Sequence, residues 1–361
     1  MMICHDGEIS TEQRQKKQVH SKKMAETKGP TSIILDEEPE MLKITPRRPH
    51  CNLVDGILIS ALYDPQLYRK SMNFRAKNGD LVLFSFPKSG THWVAYIIQL
   101  ILKRGQPIKT YREFTENMRI MEIIGLERWK PSLPMRIVAA RPPPRKLLIS
   151  DEAKYVYVAR NPWDVCVSSY HMLTTIQNHG FADATFEEFV DAFLAGEIGY
   201  GNFFDHVIAG YALRDEPNVF FVTYEELARD TRGTVLRLAR FLGQEYAAEL
   251  EGDEAMLEKL LQRCKADYMR DVIVIDFDDS SGGDWQRTLA RLNVECKDFR
   301  CGDGKKFTVV RKGKVGDWKT YFTPKLLLRM EAAIREAANK SSVMELWKNM
   351  RDEALMVLDE S

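Results

Sequence analysis

The 361-residue sequence predicts a single α/β domain of the P-loop type, with a central parallel sheet and helices on both faces. Three short apolar runs, residues 81–86, 155–159 and 219–223, have the length and the β-branched or aromatic composition of buried strands. Helix-patterned segments follow each of them, and this alternation favours parallel strands joined by helical crossovers. Hydrophobic residues make up 44% of the chain, which is ordinary for a protein with a sizeable core.

Charge and cysteine usage narrow the class of protein. Lys and Arg total 52, as do Asp and Glu, so charge alone indicates neither a nucleic-acid nor a membrane-surface partner. Apolar runs stay well below the roughly 18 residues of a membrane span. The six cysteines show neither a C-x-x-C pair nor a metal-ligand spacing. We therefore expect a cytoplasmic protein without a metal centre.

Composition also divides the chain. Residues 1–45 are polar and charge-rich, which predicts a disordered N-terminal extension before a domain that covers residues 46–361. Residues 278–304 mix Gly, Asp, Ser and charges, and we expect a surface insertion or lid there. The three consecutive prolines within residues 136–149 predict an extended segment. Further helical patterns cover residues 186–194, 202–213, 324–338 and 343–357.

The most informative stretch is residues 86–93, FPKSGTHW, between the first predicted strand and a helix. A strand, a short loop of small residues and a helix start present backbone N–H groups to a phosphate. Gly90 allows close approach of an anion, Ser89 and Thr91 offer hydroxyl groups, and Lys88 supplies a point charge. The common nucleotide loop, G-x-x-x-x-G-K-[ST], is excluded because Lys88 precedes the loop's glycine.

Two further segments carry phosphate-binding chemistry. Residues 160–168, RNPWDVCVS, follow the second predicted strand, and Pro162 suits the first turn of a helix. Arg160 and Ser168 would then lie at the sheet edge where open α/β proteins bind ligands, and an Arg fork with a hydroxyl can hold a phosphate. Residues 311–319, RKGKVGDWK, are typical by themselves of a solvated basic turn.

Together and in this order, the three segments resemble those of the cytosolic sulfotransferases, and the resemblance covers about residues 50–345. It implies transfer of a sulfonate group from 3′-phosphoadenosine 5′-phosphosulfate (PAPS), without a metal, to a small phenol, steroid, alcohol or amine. Lys88 would contact the bridging oxygen and stabilise the leaving phosphate. The implied nucleotide contacts are Lys88, Ser89, Gly90, Thr91 and His92 at the 5′-phosphate, Trp93 at the adenine, Tyr200 at the nucleotide, and Arg160, Ser168, Arg311, Lys312 and Gly313 at the 3′-phosphate.

Two departures from the family pattern bear on the chemistry. The family has T-T-W after the loop glycine, whereas this chain has T-H-W, and His92 can still donate to a phosphate. The family has R-x-x-K-T-H-L-P where residues 136–143 read RIVAARPP, so Arg141 stands at the position of the general base. Arg cannot accept a proton. With Lys88 and Arg141 as the catalytic positions, we expect donor binding to be kept and general-base catalysis to be weakened.

Several alternatives stay open. His171 and His206, on predicted helices, could replace the base, although a surface or core role is the simpler interpretation of each. A donor-binding pseudoenzyme without turnover is the second function, and a nucleotide kinase is disfavoured by the order of Lys and Gly in the loop. Residues 264–269 lack the family's T-S-F, so the resemblance does not extend to those nucleotide contacts. The family's dimer motif after D-W-K is poorly kept, so we expect a monomer or weak homodimer.

Overall fold

The computed structural model describes residues 46–277, 283–292 and 306–359. Its strands are β1 (Cys51–Val54), β2 (Ile57–Ser60), β3 (Asp80–Phe84), β4 (Met118–Ile120), β5 (Arg136–Ala140), β6 (Lys154–Ala159), β7 (Val219–Thr223), β8 (Val274–Asp276) and β9 (Lys306–Thr308). Its helices are α1 (Pro65–Met72), α2 (Thr91–Leu102), α3 (Tyr111–Asn117), α4 (Met121–Ile124), α5 (Pro162–Thr175), α6 (Phe186–Leu194), α7 (Phe203–Tyr211), α8 (Tyr224–Arg229), α9 (Thr231–Leu242), α10 (Gln244–Gly252), α11 (Glu254–Arg263), α12 (Ala266–Val272), α13 (Asp284–Arg291), α14 (Pro324–Lys340) and α15 (Lys348–Asp359). The predicted extension 1–45 and most of the predicted insertion 278–304 lie outside the described residues.

The central sheet has five parallel strands in the order β4–β5–β3–β6–β7. All three predicted strands are present, and β3 and β6 are buried along nearly their whole length. Strands that are covered on both faces read as continuous apolar runs, which is why these segments could be recognised. Two small antiparallel sheets of two strands each, β1–β2 and β8–β9, lie outside this sheet.

Successive residues of β6 belong to different cores. Val156 and Val158 pack in one cluster with α2, whereas Tyr157 and Ala159 pack in a second cluster with α5. Because successive side chains of a strand point to opposite faces, the sheet is covered by helices on both sides. The predicted α/β class is therefore confirmed.

The carboxyl edge of the sheet gathers three helix starts. β3, β6 and β7 each run into a helix within a few residues, namely α2, α5 and α8. Asn161 caps α5 by accepting from the N–H of Asp164 at 2.8 Å, and Thr223 caps α8 by accepting from the N–H of Glu226 at 3.0 Å. Because the strands are parallel, all three loops meet at one edge, where α/β proteins bind ligands.

Among the described residues, six strands were not predicted: β4 and β5 in the central sheet, and the four strands of the two small sheets. Of these, β5 lies in the run that was expected to be extended. That run ends in a 3₁₀ turn at Lys146–Leu148. The last predicted helix begins later than expected because Ser342–Trp347 forms a 3₁₀ helix, in which the indole of Trp347 donates to Glu225 at 2.8 Å.

Candidate functional site

The loop between β3 and α2 has a backbone that few residues tolerate. Lys88 has a φ of 71° and Gly90 a φ of 113°. A Cβ atom on Gly90 would lie 2.9 Å from Cδ2 of Tyr224, so the loop requires glycine for both conformation and space. The α2 helix begins at Thr91 without a side-chain cap. Its first N–H groups therefore remain available for an anion, as a phosphate loop requires.

A cluster of cations surrounds this loop. Burial, together with the positive charges of Arg160, Arg311 and Arg141, lowers the pKa of Lys88 to about 8. Like charges gathered in one place destabilise each other unless an anion lies between them. The cluster is therefore built for a ligand that carries several negative charges.

Arg160 joins two loops of the site. Its Nη1 donates to the carbonyl of Lys88 at 3.2 Å, and its Nη2 donates to the carbonyl of Lys314 at 2.9 Å. Its guanidinium carbon lies 4.2 Å from the ring centroid of Tyr224, which holds the plane in place. Its Nε is buried and has no hydrogen-bond partner among the described residues. The Nε–H group of Arg160 therefore remains available to donate to a ligand.

The basic segment after β9 is tied to α5. Arg311 and Lys312 both donate to Asp317, at 2.6 and 2.7 Å. Burial raises the pKa of Asp317, but these two hydrogen bonds outweigh it and the net pKa is lowered. Asp164 of α5 accepts from the backbone N–H of Gly316 at 2.9 Å. The segment is thereby fastened over the carboxyl end of β6.

An aromatic wall closes the far side of the site. The indole Nε1 of Trp93 donates to the carbonyl of Cys264 at 2.9 Å. The Trp93 ring also packs against the ring of Tyr224, with centroids 4.9 Å apart and planes inclined at 59°. Both contacts fix the indole, so that it offers a flat surface on which a base can stack.

These parts line one cavity of about 640 Å³. The predicted site residues that line it are Lys88, Gly90, Thr91, His92, Trp93, Arg141, Arg160, Ser168, Arg311, Lys312 and Gly313. Ser89 belongs to the loop but is buried behind it, with its N–H donating to the carbonyl of Phe86 at 3.1 Å. Tyr200 does not line the cavity. Its ring packs edge-on against the rings of Tyr63 and Phe86, with centroid separations of 5.6 and 6.3 Å.

Arg141 turns toward the phosphate loop. Its Nη1 donates to Oγ of Ser85 at 3.0 Å and to Oγ1 of Thr91 at 2.7 Å. Its backbone N–H donates to Oε1 of Glu122 at 2.9 Å, and burial raises the pKa of that carboxyl group. Only 8% of Arg141 is exposed. Its charge is therefore held at the loop end of the cavity.

The two histidines considered as alternative bases are already engaged. His206 is buried, with Nδ1 2.7 Å from the hydroxyl of Tyr157 and Nε2 donating to the carbonyl of Arg141 at 3.1 Å. Nε2 of His171 lies 2.8 Å from the hydroxyl of Tyr321, and His171 does not line the cavity. Burial lowers the pKa of each histidine to about 4. Both are structural residues in this arrangement.

Tyr224 is the residue of the site that the sequence analysis missed. It contacts both Trp93 and Arg160 from the start of α8. The signal was present, because Tyr224 directly follows the apolar run of β7, at the same sheet edge as the loops that were recognised. Asp164 was also missed as a fastening residue, although it lies within the quoted RNPWD segment.

Among the described residues, no group of three or more His, Cys, Asp or Glu side chains could hold a metal ion. The helices in the described ranges include none that is both long and apolar enough to cross a membrane.

Known proteins are similar to this chain in sequence and in fold. The family model of the sulfotransferase domain matches residues 78–342. A 3-alpha-hydroxysteroid sulfotransferase of Cavia porcellus is 30% identical over 267 residues, which cover 72% of this chain and 84% of that protein. Sulfotransferase 1B1 of Mus musculus is 29% identical over 276 residues, with the same coverages. The crystal structure of mouse sulfotransferase SULT7A1 complexed with PAP has a TM-score of 0.61 and 25% identity, and it covers 84% of this chain and 99% of that one.

Proposed function

Because the chain belongs to the sulfotransferase domain family, we propose that it transfers a sulfonate group from PAPS to a hydroxyl or amine of a small acceptor. The observation that carries the proposal is the anion-binding surface of the cavity. Lys88, Arg160 and Arg311 converge there beside the uncapped start of α2. The buried Nε atoms of Arg160 and Arg311 have no hydrogen-bond partner among the described residues, which is costly unless an anion accepts from them.

The two ends of the cavity suit the two phosphates of the donor. The loop and the α2 N-terminus would bind the 5′-phosphosulfate, and Trp93 would stack on the adenine. The residues proposed for the 3′-phosphate are Arg160, Ser168, Arg311, Lys312 and Gly313. The mouse sulfotransferase with a similar fold was crystallised with PAP, the desulfonated product, which supports this assignment.

The chemistry that the chain would supply is positioning and charge stabilisation. The acceptor oxygen forms a bond to sulfur while the bond between sulfur and the bridging oxygen breaks. The electron pair goes to the 5′-phosphate of PAP, where Lys88 neutralises the developing charge. The acceptor must also lose its proton.

Arg141 should make that proton loss slower. A guanidinium cannot accept a proton, and this one is fixed by Ser85 and Thr91. General-base catalysis is worth roughly 10²- to 10⁴-fold in rate. Phenols, with a pKa of about 10, need less help than aliphatic alcohols, so we propose phenols as the favoured acceptors.

Arg141 also favours a second function. A PAP-binding pseudoenzyme would keep the cation cluster and the aromatic wall and would have no need of a base beside the acceptor. It would bind PAP and PAPS without turnover and act through a partner or by sequestering the nucleotide.

One experiment separates the two functions. Wild-type protein is incubated with ³⁵S-labelled PAPS and a panel of phenols, steroids, aliphatic alcohols and amines, and label is followed into product. The enzyme predicts transfer, greatest for phenols. Binding of PAP without transfer to any acceptor would favour the pseudoenzyme, and absence of PAP binding would contradict both.

We also propose a cytoplasmic location and a monomeric or weakly dimeric state. The location rests on the cysteine pattern and on the family resemblance. The oligomeric proposal rests on the poorly kept dimer motif, in which the exposed Leu328 replaces the family's Glu.

Binding of PAP should take up about one proton per site near pH 9. Negative charges beside Lys88 raise its pKa from about 8 toward the ordinary value, so the amine that is mostly neutral in the free protein becomes protonated in the complex. Since binding takes up a proton, affinity falls as the pH rises above about 8. Calorimetry in buffers of different ionisation enthalpy measures the proton number.

Lys88→Arg is the matched control for this measurement. Arg keeps a positive charge at the same position but does not titrate, so the proton uptake should disappear. Unchanged uptake in this variant would assign the proton to another group.

A further inference from the structure

His92, the other departure from the family pattern, lies beside Arg141 in the same cavity. His92 is the second residue of α2 and is half-buried. Its ring stacks on Phe114 of α3, with centroids 5.7 Å apart and planes 29° apart. Lys88 and Arg141 line the cavity with it. The imidazole is therefore held at the end of the cavity where the sulfonate would be transferred.

His92 differs from the other two histidines considered in the partners of its two ring nitrogens. Neither makes a hydrogen bond within the described part of the chain, whereas His206 and His171 are bound to Tyr157 and Tyr321. A phenylalanine stack orients an imidazole without using its lone pair. His92 is thus the one of the three that lines the cavity and has both ring nitrogens unpaired among the described residues.

The surroundings keep this imidazole neutral in the free protein. Burial, together with the positive charges of Arg141 and Lys88, lowers the pKa of His92 to about 3. These charges come from the end of β5 and from the phosphate loop, while α3 contributes the uncharged Phe114. The negative charges of a bound donor would offset both cations and return the pKa toward the range of a useful base.

We propose that His92 is the general base of the sulfonate transfer, in place of a base at position 141; this inference rests on the proposed function. One imidazole nitrogen accepts the acceptor's O–H proton as the acceptor oxygen bonds to sulfur. The bond from sulfur to the bridging oxygen breaks, and its electron pair stays on the phosphate beside Lys88. The protonated His92 then releases its proton to solvent when the products leave.

The position of the general base would then differ between the family pattern and this chain. The base moves from the end of β5 to the start of α2, and the position at the end of β5 takes a fixed cation. Arg141 is anchored to Ser85 and Thr91, so it does not compete for the acceptor's proton. Its charge instead lies where the transferred group is negative.

The test uses two substitutions of His92 in the full-length protein. His92→Gln keeps an N–H donor of similar reach, and His92→Thr restores the family residue. For the best acceptor of the labelled-donor panel, each variant should lower kcat by about 10²-fold or more while the Kd for PAP changes by less than about threefold. The acid limb of the wild-type pH profile, which reports protonation of the base, should disappear in both variants. His171→Gln, outside the cavity, should leave kcat and the acid limb unchanged.

A double variant completes the test. His92→Thr with Arg141→His restores the family's arrangement, and kcat should recover by about tenfold or more from that of His92→Thr. Wild-type kcat in both His92 variants would overturn this inference and leave the proposed function standing. Loss of PAP affinity with unchanged kcat would overturn it too, since His92 would then only bind phosphate. A wild type that transfers no label would overturn the proposed function, and the inference with it.

Discussion

Arg160→Ala is expected to weaken PAP binding by about 10²-fold, and to weaken adenosine 5′-phosphate binding much less. Arg160 is the most buried cation of the proposed 3′-phosphate site, with 7% of its surface exposed, and its Nε has no hydrogen-bond partner in the described part of the chain. Charge-assisted hydrogen bonds of this kind are worth roughly 1.5–3 kcal/mol each. The small loss for adenosine 5′-phosphate arises because Arg160 also donates to the carbonyl of Lys88 in the loop. Titration calorimetry of both nucleotides, with wild-type PAP affinity expected at about micromolar or tighter, measures the difference.

Lys312→Ala tests contact with the 3′-phosphate without disturbing a hydrogen bond to the phosphate loop. Lys312 lines the cavity but is more exposed and makes no bond to the phosphate loop, so its loss should fall on PAP alone and be smaller. Lys319→Ala is the matched control, because Lys319 pairs with Glu353 outside the cavity. Equal losses for the two nucleotides in both cavity variants would mean that these cations act on folding and not on the 3′-phosphate.

The parts of this site that the sequence predicted are those set by local chemistry. A buried parallel strand must be apolar along its length, and a loop that receives a phosphate at a helix start needs a glycine such as Gly90. Both requirements act over a few neighbouring residues. Once parallel strands were predicted, β3 and β6 had to deliver Lys88 and Arg160 to the same sheet edge.

Features that depend on distant partners could not be predicted. The direction of Arg141 follows from the pairing of β3 with β5, where Phe84 lies opposite Ala140 and the next residues, Ser85 and Arg141, become neighbours. Neither that register nor β5 itself was evident in the sequence. Tyr200 likewise packs on Tyr63, which is far away along the chain, and so leaves the cavity that its motif position suggested.

Arg141→His is expected to raise turnover, most strongly for weakly acidic aliphatic alcohols. Two effects act in the same direction. The new imidazole can accept a proton at the position where the family has its base, a contribution of roughly 10²- to 10⁴-fold when fully realised. Removal of the guanidinium also relieves one of the charges that lower the pKa of His92. We expect about a tenfold rise for alcohols and less for phenols, measured as kcat with labelled PAPS.

The rise should be partial for two reasons, and Arg141→Gln is the control. The neighbouring Ala139 and Ala140 replace the family's Lys and Thr, so a histidine at position 141 lacks the residues that accompany the base in the family. Arg141 also donates to Ser85 and Thr91, and its loss loosens the phosphate loop. Arg141→Gln removes the charge and adds no base, so it isolates the effect on His92. A larger rise in Arg141→His than in Arg141→Gln is therefore the signature of a returned proton acceptor. Equal turnover in the two variants would show that position 141 does not reach the acceptor's proton.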